Sequence, residues 1–156
     1  MPVSSRGDYA RFLSAQYAAR CVVERALAAQ PPAGLGAPPS QTALLAEDLA
    51  DLGTRPVAAP NDLKLETPEA ALGAAWVLAG SSLGNRAMLA QRRKAGARGP
   101  ERFLSDHAMA RYFGDLLKAM EGERADSAIQ QATRGALATF AIFENAFSTM
   151  QLENAA

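Results

Sequence analysis

The chain has 156 residues, 16 basic and 16 acidic side chains with no formal net charge, and 49% hydrophobic residues. That describes one domain, residues 1–156, able to bury a sizeable core, and it excludes a disordered polymer. A neutral balance lacks the basic excess of a non-specific nucleic-acid binder, and one cysteine (Cys21) with one histidine (His107) excludes an internal disulfide or a zinc finger. The first six residues carry no apolar signal core. The longest apolar stretch, 72–83, falls short of the ~20 residues that span a membrane. The expectation is a cytoplasmic protein with no membrane or nucleic-acid partner.

Alanine dominates, arginine replaces lysine except at Lys64, Lys94 and Lys118, and strand-forming residues are sparse. That is helix chemistry. Asp8 is read as the cap of a first helix over about 9–29, with Tyr9, Phe12, Leu13, Ala19 or Arg20, Val23 and Leu27 recurring along one side. Four prolines and glycines in 31–36, followed by Pro38 and Pro39, break it. Ser40 is expected to cap a short second helix with a stripe of Leu44, Leu45, Leu49 and Leu52, stopped by Gly53. After a second loop, Thr67-Pro68-Glu69 combines a cap, a first-turn proline and a first-turn acid. A third helix runs from there toward Lys94. A fourth covers about 101–120, with Phe103, Leu104, Tyr112, Phe113, Leu116 and Leu117 as core candidates. A fifth covers about 123–152 and buries Ile129, Ala132, Ala136, Phe140, Phe143 and Phe147. The fold class is all-α, a bundle of about five helices.

The third helix is unusual. Gly73, Gly80 and Gly84 fall within about 40° of one another on a helix wheel and bare the backbone along one face. Each costs about 1 kcal/mol relative to alanine, so something approaches that backbone closely or the helix bends there. The approaching object is either a neighbouring helix or a flat ligand.

Residues 72–86 read Leu-Gly-Ala-Ala-Trp-Val-Leu-Ala-Gly-Ser-Ser-Leu-Gly-Asn-Arg. This resembles the distal helix of bacterial heme oxygenases, which reads Leu-Gly followed by Tyr-Val-Leu-Glu-Gly-Ser-x-Leu-Gly-Gly. Residues 9–27, the Leu-x-x-Asp-Leu-x-x-Leu-Gly stretch at 45–53 and the Thr139-Phe140 run are similar to flanking segments of that family. The resemblance implies a heme-oxygenase-like bundle in which Trp76, Gly80, Ser81, Gly84, Asn85 and Arg86 line a heme or other tetrapyrrole. Gly80 and Gly84 would touch the porphyrin face, and Ser81 would stand near bound oxygen.

The chain also departs from the pattern. The family's proximal His lies on a helix preceding the segment near Tyr9, and that helix is expected to be absent here. Asn85 replaces a glycine, Ala79 a glutamate and Trp76 a tyrosine. Asn85 either projects into the cleft, closing it in part together with Trp76, or points outward to solvent. Iron in a porphyrin needs an axial ligand. Substitutes are His107, otherwise a surface or capping residue, and Cys21, otherwise a small buried hydrophobe. Met88, Met109 and Met120 read as core fillers. Arg86, Arg92, Arg93, Lys94 and Arg98 form a basic run that either binds propionates or solvates a helix end.

The functional expectation is a divergent, non-catalytic relative that binds a tetrapyrrole weakly, or a protein partner. The alternative is an active oxygenase cleaving heme to biliverdin, with a gene start upstream of Met1 or a substitute axial ligand. Without the first family helix, the stripe of Tyr9, Phe12 and Leu13 is expected to be covered by a second copy in a homodimer.

Overall fold

A computed structural model describes residues 5–155, with side chains through Gln151. The reading of residues 1–4 for a signal core lies outside that range. Among the described residues the fold is all-α, with six helices and one single turn of helix. These are α1 (Arg6–Ala29), α2 (Thr42–Asp51), α3 (Pro68–Gly80), α4 (Asn85–Lys94), the turn α5 (Arg102–Ser105), α6 (Ala108–Ala119) and α7 (Asp126–Ala155).

Two expected helices are each broken. The third stops at Gly80, makes a turn over 81–84 and restarts as α4. Ser82 N–H donates to the Ala79 carbonyl and Leu83 N–H to that of Gly80, so the i→i+4 ladder gives way to tighter bonds between the two glycines. The fourth breaks at Asp106, whose extended backbone separates α5 from α6.

The caps divide in the same way. Thr67 Oγ1 accepts from Ala70 N–H at 3.1 Å, as its sequence signature requires. At α1, however, Ser5 and not Asp8 is the cap: its hydroxyl accepts from Asp8 N–H at 3.0 Å, and Asp8 pairs with Arg11. At α2, Ser40 does not cap. The Glu24 carboxylate reaches over from α1 and accepts from Gln41 N–H (2.9 Å) and Thr42 N–H (3.3 Å). A tertiary carboxylate at a helix amino end satisfies orphan donors that no local residue reaches. Gly53, at φ +67°, ends α2 as expected, with Thr54 N–H returning to the Leu49 carbonyl at 2.9 Å.

Two apolar clusters form the interior. The larger lies among α1, α3, α6 and α7 and includes Val23, Leu78, Leu116 and Phe143. The smaller joins Tyr9 and Leu13 of α1 to Leu45 and Leu49 of α2, Leu89 of α4 and Phe103 of α5. Tyr9 and Leu13 are fully buried, and Phe12 packs against the rings of Phe103 (6.5 Å) and Phe147 (6.1 Å). The α1 stripe expected to need a second copy is therefore covered from within the chain.

The packing of α3 on α7 explains one glycine and corrects the expected core. A Cβ on Gly73 would be driven into the Ala132 carbonyl, and one on Gly135 into that of Ala70. The two helices cross antiparallel with backbones touching at both points, which is the helix-packing reading of the glycine face. Close approach demands small residues, so α7 turns Gly135 and Thr139 inward, followed by Ile142, Phe143 and Ala146. Ile129 and Phe140, expected in the core, are pushed to the side of that face and left 51% and 54% exposed.

These contacts fix opposite signs for two substitutions. Gly114, inside α6, has nothing within 4 Å of where a Cβ would sit. Gly114→Ala should therefore raise stability by about 0.5–1 kcal/mol, the ordinary helix-interior gain. Gly135→Ala should lower it, because backbone must move to admit the methyl group. Urea denaturation midpoints of the two variants check the pair.

Candidate functional site

The α3–α4 break is organised from beneath by one side chain. Arg20 sits on the apolar stripe of α1, seven residues from both Leu13 and Leu27, and is 0% exposed. Its Nε donates to Gln16 Oε1 (2.9 Å) and its Nη1 to Gln41 Oε1 (2.6 Å). Its Nη2 donates to both hydroxyls of the break, Ser81 Oγ (2.7 Å) and Ser82 Oγ (2.8 Å). Phe103 and Phe143 flank the guanidinium at 5.0 and 5.8 Å, one ring from each apolar cluster. Among the described residues no carboxylate stands within ion-pair distance of it.

Burial pulls the Arg20 pKa down to about 10, while the charges of Glu24 and Asp106 act in the opposite sense. It stays protonated at neutral pH. The two carboxylates act through Gln41, whose N–H is held by Glu24 and whose Nε2 donates to Asp106 Oδ2 at 3.0 Å. The result is a buried cation in a shell of neutral oxygens, with its counter-charges one layer out.

On the outer side of Ser82 lies a cleft of about 530 Å³, within the usual range of small-molecule sites. Ala79, Ser82, Leu83 and Arg86 form one wall, and 104–107 with Met109 and Ala110 form the other. Leu89, Leu104 and Met109 make an apolar floor. The polar rim consists of Arg86, Arg93, Asp106 and His107. Arg93 is held by Glu101 at 2.7 Å, whereas Arg86 is exposed and makes no ion pair within the described chain. His107 is exposed at the start of α6. The break at Asp106, where Oδ1 accepts from Ala108 N–H at 3.3 Å, brings this histidine into the cleft.

Of the six residues the sequence singles out, Arg86 lines this cleft. Ser81 turns inward: besides accepting from Arg20 it donates to the Leu78 carbonyl at 2.7 Å, so its hydroxyl is committed on both sides. Asn85 is buried and Trp76 is 46% exposed. Gly80 and Gly84 stand one helix position off the cleft wall, and a Cβ on either would meet open space.

The basic run is split by function. Arg92 is buried, stacks on Tyr9 at 3.6 Å and donates to the Arg98 carbonyl at 3.0 Å, while Tyr9 Oη donates to Pro100 O at 2.7 Å. These contacts pin the 98–100 loop and so position α5. Asp48, fully buried, completes the support by accepting from Phe103 N–H (3.0 Å) and Arg102 Nη1 (3.1 Å). Cys21 is half-buried, and burial pushes its thiol pKa up, so it stays a thiol at neutral pH. No cluster of three or more metal-ligating side chains occurs among the described residues. Nor is any of the helices long and apolar enough to cross a membrane.

Sequence reasoning places Arg20 on the apolar stripe but assigns it no role. The signal was there: an arginine at heptad spacing between Leu13 and Leu27. Gln41 and Asp106 carried no comparable signal, because loops bring them to the site. The chain defines an all-α helical protein with one polar-rimmed cleft at a broken helix. Comparison with known protein families, curated proteins and solved structures finds no match.

The Arg20 shell makes a direct prediction. Arg20→Ala removes the donor of four hydrogen bonds and opens a cavity, and should cost about 3–5 kcal/mol. Arg20→Met keeps most of the volume and removes the buried charge, so its cost should be smaller, about 1–3 kcal/mol from the unpaired oxygens. Guanidinium unfolding of both variants measures the difference.

Proposed function

We propose that the chain is a divergent heme-oxygenase-like protein that binds an anionic tetrapyrrole in the α3–α4 cleft without oxidising it. The observation carrying this reading is that one cleft combines an apolar floor, an unpaired guanidinium at Arg86 and an exposed imidazole at His107. It does so at the break within the Gly-Ser-Ser-Leu-Gly segment that resembles the family's distal helix. The donor set fits an iron porphyrin: His107 would hold the iron, Arg86 a propionate carboxylate, and Leu89, Leu104 and Met109 the macrocycle. Arg20, buried behind Ser82 with its counter-charges at Glu24 and Asp106 one layer away, adds positive potential on the Ser82 side of the cleft.

Bound iron porphyrin would supply redox and oxygen chemistry. Against turnover stands Ser81. Its resemblance-implied role is a polar group beside bound oxygen, yet its hydroxyl is occupied by Arg20 and the Leu78 carbonyl. The alternative, an active oxygenase releasing biliverdin, is favoured by a single feature, the histidine in the cleft. A homodimer belongs to the proposal as well. Ile129, Leu137 and Phe140 leave apolar surface on α7 that a second copy would cover. A cytoplasmic setting accords with the lone free cysteine.

Hemin titration tests the binding reading. The expected result is saturable binding with a shifted Soret band that His107→Ala abolishes and Arg86→Gln weakens, and no biliverdin when ascorbate and oxygen are supplied. Biliverdin formation would establish the oxygenase reading instead. Absence of saturable binding would remove both.

A further inference from the structure

At the opposite end of α1 from the Glu24 cap lies a second, larger hollow of about 880 Å³. One wall is the first half of α1, through Gly7, Ala10, Arg11, Ser14 and Ala18. The other wall is the last part of α7, with Asn145, Ala146 and Met150, and the extended 54–61 segment closes the third side. That segment is docked by one bond, Ala59 N–H to the Ala18 carbonyl at 3.1 Å.

Three features mark it as built for a ligand. First, Ser14 is 9% exposed, and its hydroxyl makes no hydrogen bond to any described residue. Its oxygen is not sealed off from solvent, so what remains accessible opens into the hollow. Ser81, Thr133, Thr139 and Thr149, by contrast, return their hydroxyls to a backbone carbonyl, an outlet that Ser14 does not use. Second, among the described residues the lining holds two arginines, Arg11 and Arg55, and no acidic residue, in a chain whose charges balance overall. Arg11 pairs with Asp8, whereas Arg55 is exposed and makes no ion pair with any described residue. Third, the remaining lining away from the arginines is largely apolar: Ala18, Val57, Ala59, Ala146 and Met150. Val57 is 65% exposed at the rim.

We propose that this hollow binds an amphipathic carboxylate, a molecule with one anionic head and a hydrocarbon body. Arg11 and Ser14, three residues apart on α1, share a face and present a cation and a hydroxyl donor side by side. With Arg55 facing them from the 54–61 segment, they receive the carboxylate in charge-assisted hydrogen bonds. The hydrocarbon runs toward Ala18 and Met150, covering Val57. The site is separate from the α3–α4 cleft and shares no residue with it.

The test uses dodecanoate, below its micelle concentration, titrated into the full chain by calorimetry, with dodecanol and dodecylammonium as neutral and cationic arms. The expected result is 1:1 binding of dodecanoate at least about tenfold tighter than of dodecanol, with no saturable binding of the ammonium. Arg55→Glu, an exposed position, should weaken dodecanoate about tenfold while leaving dodecanol affinity unchanged, and Ser14→Ala should weaken dodecanoate about tenfold. Arg86→Gln, in the other cleft, should alter neither. Equal affinity for the three head groups, no saturable binding of dodecanoate, or dodecanoate affinity unchanged by Arg55→Glu would each overturn the proposal.

Discussion

A guanidinium buried without a carboxylate in contact is costly, because it surrenders its hydration and receives only neutral dipoles in exchange. Arg20 is in that position, and much of the architecture around α3 and α4 follows from meeting its requirements. Its donors need oxygens, and its own helix supplies one, Gln16 Oε1, one turn away. Ser81 and Ser82 provide two more by leaving the helix ladder at the break, and Gln41 provides the fourth from the amino end of α2. Gln41 is in turn held by Glu24 and Asp106. One cation thus ties α1, the start of α2, the α3–α4 turn and the α5–α6 junction to a single point. It does so where the two apolar clusters meet, between Phe103 and Phe143. Hydrogen-bonded networks of this kind specify one arrangement, since every alternative leaves a buried polar group unpaired.

The cleft is a by-product of that arrangement. If α3 continued unbroken to Lys94, Ser82 would lie on an uninterrupted helix face. If α5 and α6 were one helix, His107 would have no reason to face Arg86. Both breaks are stabilised by the Arg20–Gln41–Asp106 chain, so the shape of the site and the burial of the charge are coupled. The supporting contacts, Arg92 on Tyr9 and Asp48 on the amino end of α5, hold the second wall from the far side.

The helical class, the loops and the Thr67 and Gly53 boundaries were legible in the sequence because each rests on local chemistry: propensity, proline, and a cap or an αL glycine. The α1 and α2 caps were not. Asp8 and Ser40 are good cap residues, but Ser5 stands one turn earlier and Glu24 reaches across from another helix, which no local pattern encodes. The stripe of α7 was misphased at Ile129 and Phe140. Hydrophobicity points them inward, whereas the backbone contact of Gly73 with α7 and of Gly135 with α3 reserves that face for small residues. Gly73 belonged to the packing reading and Gly80 and Gly84 bracket the bend, so one glycine series serves two purposes. At the cleft, Arg86 was legible; His107 was named as a substitute ligand or a capping residue, but its place in the cleft depends on the Asp106 break, which no local pattern marks.

The claim that Arg20 holds the α3–α4 break, and with it the cleft, is tested most directly by native-state amide hydrogen exchange on Arg20→Met against the unaltered protein. The account predicts that protection falls at the Ser82, Leu83 and Asn85 amides, which bond within the turn, by more than the change in global stability. The Ala74 and Ala75 amides, buried in the α3 interior beside the Gly73 contact with α7, should follow the global change alone. A uniform loss of protection along α3 and α4, with no excess at the turn, would contradict it.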